Sequence, residues 1–314
     1  MAAPPFLEML KCPLSDELVR KQEDYLVSER TARRFRVSAS GIPMFAEEQC
    51  SAEGRRQQEH YERIASRYLE NLGYPHTQEY MAYLDRVFLA EVGEQKLGDC
   101  AEVCCGAGEA FQLLGSRVGR GMGIDISLSM LEAARSNLPS SNYFFVQGDA
   151  TMLPVRDAMF DSVFVFGGIH HVNDRVGLFR EIFRILKPGG RFYFREPVSD
   201  FFLWRWLRAV IYRMSPTLDS KTERPLLFNE TEPPLRHVGF RLRTWKTFGF
   251  LGYCLLMNSD VLVFNRGLRL MPGIRAMTRL AARLDDWTTR LPGMARNGLI
   301  AVGVGEKPAH GIAQ

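Results

Sequence analysis

The sequence predicts an α/β fold, a doubly wound sheet of seven strands with helical insertions and a small β-rich segment at the N-terminus. Three observations carry this. Short apolar runs suited to buried strands alternate with segments of helical spacing through the middle of the chain. The stretch Glu102-Val-Cys-Cys-Gly-Ala-Gly-Glu109 joins one such run to a helix start through a glycine turn. Later runs end in Asp125 and Asp149, carboxylates at strand tips, where an open α/β sheet binds its ligands.

Residues 1–50 form a unit of their own, in which Tyr25-Leu-Val-Ser28, Phe35-Arg-Val37 and Gly41-Ile-Pro-Met-Phe45 read as short strands joined by turns. Residues 51–314 form the main domain, beginning with a helical cap over 51–95 that Gly73-Tyr-Pro75 interrupts. In the core, 96–200, strands are expected near 100–104, 121–125, 143–146, 161–166 and 191–195, with helices near 108–117, 127–137 and 174–186. Lys187-Pro-Gly-Gly190 stops the last of these. A further helix over 229–239 and strands at 240–248 and 297–304 complete the count.

Two segments exceed this plan. Residues 201–228 open Phe201-Phe-Leu-Trp-Arg-Trp-Leu207, and 249–296 holds a helix with Ile274, Met277, Ala281, Leu284, Trp287 and Leu291 on one face. Residues 201–300 carry 16 Lys and Arg against 7 Asp and Glu, a net of +9 in a chain of net +4, so the remainder sums to −5. That asymmetry suggests an anionic surface or ligand near the insertions. Composition elsewhere is ordinary for a soluble protein, 46% apolar and 24% charged. Six cysteines in no paired framework suggest a reducing compartment. With no basic-then-apolar leader and no run near the ~20 apolar residues of a membrane span, a cytoplasmic location is expected.

The glycine loop narrows the ligand. A dinucleotide fingerprint needs glycine at its first, third and sixth positions, here Gly106, Gly108 and Phe111. The Phe suits a nucleoside without a pyrophosphate. Asp125 is then suited to both ribose hydroxyls and Asp149 to an adenine amine, leaving Glu102 to face a cationic amino-acid group.

These residues resemble the class I S-adenosylmethionine-dependent methyltransferases, whose sheet is Rossmann-like, and in particular the ubiquinone/menaquinone C-methyltransferase type with its Cys-Cys-Gly-x-Gly loop. The resemblance covers Tyr61 to Pro197. It includes Tyr61-Glu-Arg-Ile-Ala-Ser-Arg-Tyr68, Gly148-Asp-Ala150 with Leu153-Pro154, Phe160-Asp161, His170-His-Val172 and Arg184-Ile-Leu-Lys-Pro-Gly-Gly190. It implies S-adenosylmethionine as cofactor, held by Tyr68, Glu102, Cys104, Gly106, Gly108, Asp125, Ile126, Met130, Asp149, Ala150 and Phe166. It also implies that the last strand runs antiparallel. The N-terminal segment is similar to zinc ribbons that accompany some methyltransferases. Its four ligand positions would be Cys12, Ser15, Ser28 and Thr31, and three hydroxyls do not replace three thiolates, so no metal is expected.

In this fold the tip of the fourth core strand, Phe166-Gly-Gly-Ile-His170-His171, faces the sulfonium methyl, making His170 and His171 the candidate bases for an acceptor proton. Arg195 and Glu196, one strand on, are further pocket candidates. The chain lacks the Asn/Asp-Pro-Pro-Tyr/Phe motif of amino-methylating enzymes of the DNA adenine type. The expected activity is O- or C-methylation of an apolar small molecule, quinone-, polyketide- or lipid-like. The alternatives are RNA methylation, disfavoured by the lost ribbon ligands, and a cofactor-binding protein with another reaction. No nucleic acid is expected as partner. The segments 201–228 and 270–291 are expected to open the acceptor site to a membrane surface or a hydrophobic carrier.

Overall fold

Three short antiparallel strands, β1 (Arg20–Gln22), β2 (Tyr25–Ser28) and β3 (Arg33–Arg36), open the fold in a computed structural model that describes residues 6–15, 17–206, 208, 224–257, 263–294 and 296–309. Leu26 pairs with Phe35 across β2 and β3, and Phe35 packs on Phe45 with ring centroids 4.6 Å apart. These side chains continue the main core. Phe6, Leu10, Cys12, Leu26, Phe35 and Phe45 share one buried cluster with Val146, Leu153 and Val155 of the central domain. Phe6 stacks on Phe144 at 5.3 Å.

The four ribbon positions meet at one point. Cys12 Sγ lies 3.6 Å from Thr31 Oγ1, which donates to Ser28 Oγ at 2.7 Å. Ser28 Oγ donates in turn to Glu17 at 2.6 Å. Burial raises the Cys12 thiol pKa, but a bond from the Leu14 backbone, with Thr31, Ser15 and Ser28, brings it below its ordinary value.

A short helix α1 (Phe45–Glu48) leads to the cap helices α2 (Ala52–Leu72) and α3 (Pro75–Val92). Ser51 caps α2 by accepting from the Gly54 amide, and Pro75 starts α3 where a missing N–H costs nothing. The seven-stranded sheet follows, with β4 (Gly98–Val103), β5 (Val118–Asp125), β6 (Tyr143–Gln147), β7 (Phe160–Phe166), β8 (Leu186–Pro197), β9 (Arg241–Phe248) and β10 (Ile300–Glu306). Their order is β6-β5-β4-β7-β8-β10-β9, with β10 antiparallel to both neighbours. The Lys187-Pro-Gly-Gly190 stop belongs to the strand as well, because β8 already pairs with β7 from Leu186.

Alternation along the strands sorts the core onto two faces. Ala101, Val103, Met122, Ile124, Val163 and Val165 face α6 (Arg175–Ile185), α7 (Phe228–Val238) and the N-terminal unit. Cys100, Phe164, Tyr193, Val302 and Val304 face α3 and α4 (Glu109–Leu114). Helix α5 (Leu128–Asn137) packs beside β6 and is capped by Ser127.

Of the segment 201–228, residues 207 and 209–223 lie outside the described residues, as do 258–262 and 295 of the later one. The later segment builds α8 (Leu251–Leu256) and α9 (Ile274–Thr289). The expected apolar face of α9 is split. Ile274 is buried, while Met277, Leu284 and Trp287 are exposed. The inward face is Ile274, Thr278, Ala282, Asp285 and Thr289, and its hub is polar. Asp285 accepts from the Tyr80 hydroxyl of α3 at 2.5 Å and from the amides of Phe250, Gly252 and Tyr253 at 2.9, 3.2 and 3.0 Å. Among the described residues no helix is long and apolar enough to cross a membrane.

Candidate active site

The turn after β4 is left-handed at Cys104, Gly106 and Gly108, with φ of 54°, 50° and 81°. Glycine meets this at two of the three positions without strain. The turn throws the Gly106 amide towards β5, where it donates to Asp125 Oδ2 at 2.8 Å; the Ser127 amide donates to Oδ1 at 2.9 Å. A groove opens beside this turn, enclosing about 880 Å³ partly open to solvent. Tyr68, Cys104, Gly106, Asp125, Ile126, Met130, Asp149, Ala150, Phe166 and His171 all line it. The loop after β4, the tips of β5 and β7, the turn after β6 and one face of α2 thus converge.

Three expected residues do not line it. Glu102 is buried and accepts from the Ala110 and Phe111 amides at 2.8 and 3.1 Å, so its carboxylate caps α4 instead of facing a ligand. Burial pushes its pKa up to about 8, with those two amides opposing. Gly108 supplies the turn that starts α4. His170 turns to β8, where its Nδ1 lies 2.9 Å from Glu196 Oε2.

Glu196 is fully buried and also takes the amides of Gly168 and Ile169 at 2.6 and 2.9 Å, fixing the whole histidine turn. Burial lifts its pKa to about 7, against those amides. Burial, with the Arg175 and Arg208 charges, lowers His170 to about 3, so this imidazole is neutral and donates from Nδ1. Arg195 and Glu196 do not pair. As neighbours on a strand they point to opposite faces, and Arg195 bonds Asp85 of α3 at 2.6 Å while lying over the Phe166 ring.

His171 is the histidine of the groove. Its Nε2 lies 2.6 Å from the Tyr61 hydroxyl of α2, and its carbonyl accepts from Gln57 at 3.3 Å. Sequence reasoning left Tyr61, Gln57 and Ser51 out of the site, although Gln57, Tyr61 and Tyr68 recur at spacings of one face of a helix. Glu109 also lines the groove and accepts from the Tyr68 hydroxyl at 3.1 Å. Asp149 lines it too, but its carboxylate is engaged: Ser51 donates its amide and hydroxyl to Oδ2 at 2.9 and 2.6 Å, and Thr151 does the same to Oδ1 at 2.9 and 2.7 Å.

Sheet order, glycine turn and groove are those expected of the class I S-adenosylmethionine-dependent methyltransferases that the sequence resembles. Comparison with known proteins agrees, for residues 101–194 match the family described as methyltransferase domain. Demethylmenaquinone methyltransferase of Lactococcus lactis is 38% identical over 96 residues, which are 29% of this chain and 38% of that protein. The chloroplastic 2-phytyl-1,4-beta-naphthoquinone methyltransferase of Arabidopsis thaliana is 37% identical over 106 residues, 31% of this chain and 41% of that one. The chain thus matches about two-fifths of the length of these relatives. Among solved structures, a chain from the complex of the Haloferax volcanii Trm112 methyltransferase activator with a methyltransferase has a TM-score of 0.56 at 20% identity, covering 81% of this chain and 98% of its own. A methyltransferase of Thermotoga maritima has a TM-score of 0.54 at 20% identity, covering 80% and 99%. These two likenesses bear on the fold alone.

Proposed function

We propose that the protein transfers a methyl group from S-adenosylmethionine to an apolar, quinone-like small molecule, on oxygen or carbon. The observation that carries the reading is the Tyr61–His171 contact of 2.6 Å on the wall of the groove that also holds Asp125 and Gly106. The residues fit the cofactor. A Cβ on Gly106 would come within 3.3 Å of Met130 Cε, so the glycine keeps that wall open to a close ligand. Asp125 would accept from the ribose, Met130 and Ile126 would flank the base, and Tyr68 with Glu109 would bound the amino-acid end.

S-adenosylmethionine, when bound, supplies an electrophilic methyl on a sulfonium sulfur. The protein's part is alignment, exclusion of water by α2, and removal of the acceptor proton. With His171 Nε2 unprotonated, the Tyr61 hydroxyl donates to it. Tyr61 oxygen takes the acceptor proton as its own passes to His171, so no tyrosinate forms, and the acceptor atom keeps the electron pair that attacks the methyl. Support for a quinone-like acceptor comes from the quinone methyltransferases matched at 37–38% identity.

The test is turnover with methyl-labelled cofactor offered in parallel to hydroxyquinones, reduced quinones, phenolic polyketides and RNA. Label in the organic phase is expected, and it should fall in an Asp125→Ala variant whose cofactor binding is weaker by roughly 1.5–3 kcal/mol. Label only in RNA, or an Asp125→Ala variant that binds normally, overturns the reading.

A further inference from the structure

Helix α9 presents its apolar ridge outward. Met277, Leu280, Leu284 and Trp287 are spaced along one face and are 54, 57, 53 and 61% exposed. The helix packs mainly on α3 and touches the sheet near Ile300, both through its inward face of Ile274, Thr278, Ala282, Asp285 and Thr289. The sheet therefore has no use for the ridge. Neighbouring elements extend it. On α8, which touches α9 where Gly252 meets Ala281, Leu251 and Leu255 are 63 and 50% exposed. Phe250 at the start of α8 contacts Phe201 at 5.4 Å, beyond which Phe202 and Trp206 are 68 and 67% exposed. A patch of this extent is larger than scattered surface apolar residues produce.

Charge says what covers it. Arg279, Arg283 and Arg290 lie along the flank of the ridge away from α8, and Arg283 is exposed. Arg279 and Arg290 form surface pairs with Glu79 and Asp286, as Arg269 does with Glu70, within a segment, 201–300, that carries a net charge of +9 in the sequence. A buried protein partner would have to desolvate this row of arginines beside the ridge. At a lipid surface the two belong together, because the apolar side chains enter the acyl boundary while the guanidinium groups stay level with phosphates.

We propose that the outer face of α9, with α8 and the Phe202–Trp206 turn beside it, docks the protein on an anionic lipid bilayer. This deepens the reading of an apolar acceptor and rests on it for what the docking serves. The same turn follows β8, and on its return the Arg224 amide donates to the His170 carbonyl at 3.0 Å. The docking surface and the histidine turn thus share a segment, and an acceptor dissolved in lipid would reach the groove without crossing water.

The test uses the full chain with sedimenting vesicles of phosphatidylcholine alone or with phosphatidylglycerol, and reads lipid binding without turnover. Binding to the anionic vesicles should exceed binding to the neutral ones about tenfold or more. The triple change Met277→Gln, Leu284→Gln and Trp287→Gln touches only exposed positions and should abolish binding with an unchanged melting temperature. Arg279→Glu with Arg283→Glu should lower it about tenfold or more, with cofactor affinity by calorimetry unchanged. Should the triple variant unfold, Trp287→Ser alone should still weaken vesicle binding several-fold. A wild-type protein that leaves anionic vesicles unbound, variants that bind as wild type does, or a wild-type dimer that the triple change dissociates would overturn the proposal. Because cofactor binding is measured separately, such a failure would leave the methyl-transfer reading standing.

Discussion

The Ser51 hydroxyl donates to Asp149 Oδ2 at 2.6 Å while accepting from the Gly54 amide at 2.9 Å, so one side chain both caps α2 and engages the acid assigned to the base of the cofactor. Ser51→Ala removes both bonds. The loss of the cap should cost about 1 kcal/mol of stability. Cofactor affinity should rise, because the hydroxyl no longer competes for Asp149. A fall in affinity by calorimetry would show that Ser51 organises the acid instead of competing for it.

In the proposed relay Tyr61 and His171 act together, so their replacements should not add. His171→Gln should lower turnover about 10²–10⁴-fold with cofactor affinity nearly unchanged. Tyr61→Phe should fall in the same range, and the double variant should be little worse than either. His170→Gln should instead lower the melting temperature, since its Nδ1–H serves Glu196. A slow His170 variant beside a normal His171 variant would reverse the assignment.

The buried His170–Glu196 pair sets a pH dependence whose two halves oppose. His170, lowered to about 3, stabilises the fold above its unfolded value of 6.5, and that contribution is lost as pH falls from there towards 3. Glu196, raised to about 7, contributes most below its unfolded value of 4.5, and that is lost as pH rises towards 7. Between 4.5 and 6.5 the slopes oppose, so stability should change less there than either group alone would make it, and decline towards pH 3. Glu196→Gln removes one half, and stability should then rise with pH across that window. Urea denaturation at several pH values reads both curves.

At the N-terminus, purified protein should carry no stoichiometric zinc by elemental analysis. Cys12 finds hydroxyls where a metal site would offer thiolates, and a chelator should leave the melting curve unmoved. One zinc per chain would refute this.

The sheet was legible because its strands are buried on both faces and read as apolar runs, and because glycine turns and caps punctuate them. The position of Asp125 and Gly106 beside the groove was legible as well, since a strand tip and a tight turn have local signatures. Glu102 was not. Its partner is the start of the helix eight residues on, and nothing in the spacing says whether a carboxylate caps a helix or meets a ligand. The choice between His170 and His171 depended on Tyr61 and Glu196, which lie 110 and 26 residues away. In α9 the apolar stripe was visible but its direction was not. Asp285 decides it, because a buried carboxylate with four donors outweighs the burial of a tryptophan.

That carboxylate also gives α9 no second pose. Rolling the helix to hide Leu284 and Trp287 would strip the Tyr80 hydroxyl and three amides of their acceptor, at about 1–3 kcal/mol for each group left buried and unpaired. The greasy stripe is thus on permanent display and cannot be retracted between encounters. Yield on expression, adsorption to vessel walls and the need for detergent during purification should all follow from this single rigid joint.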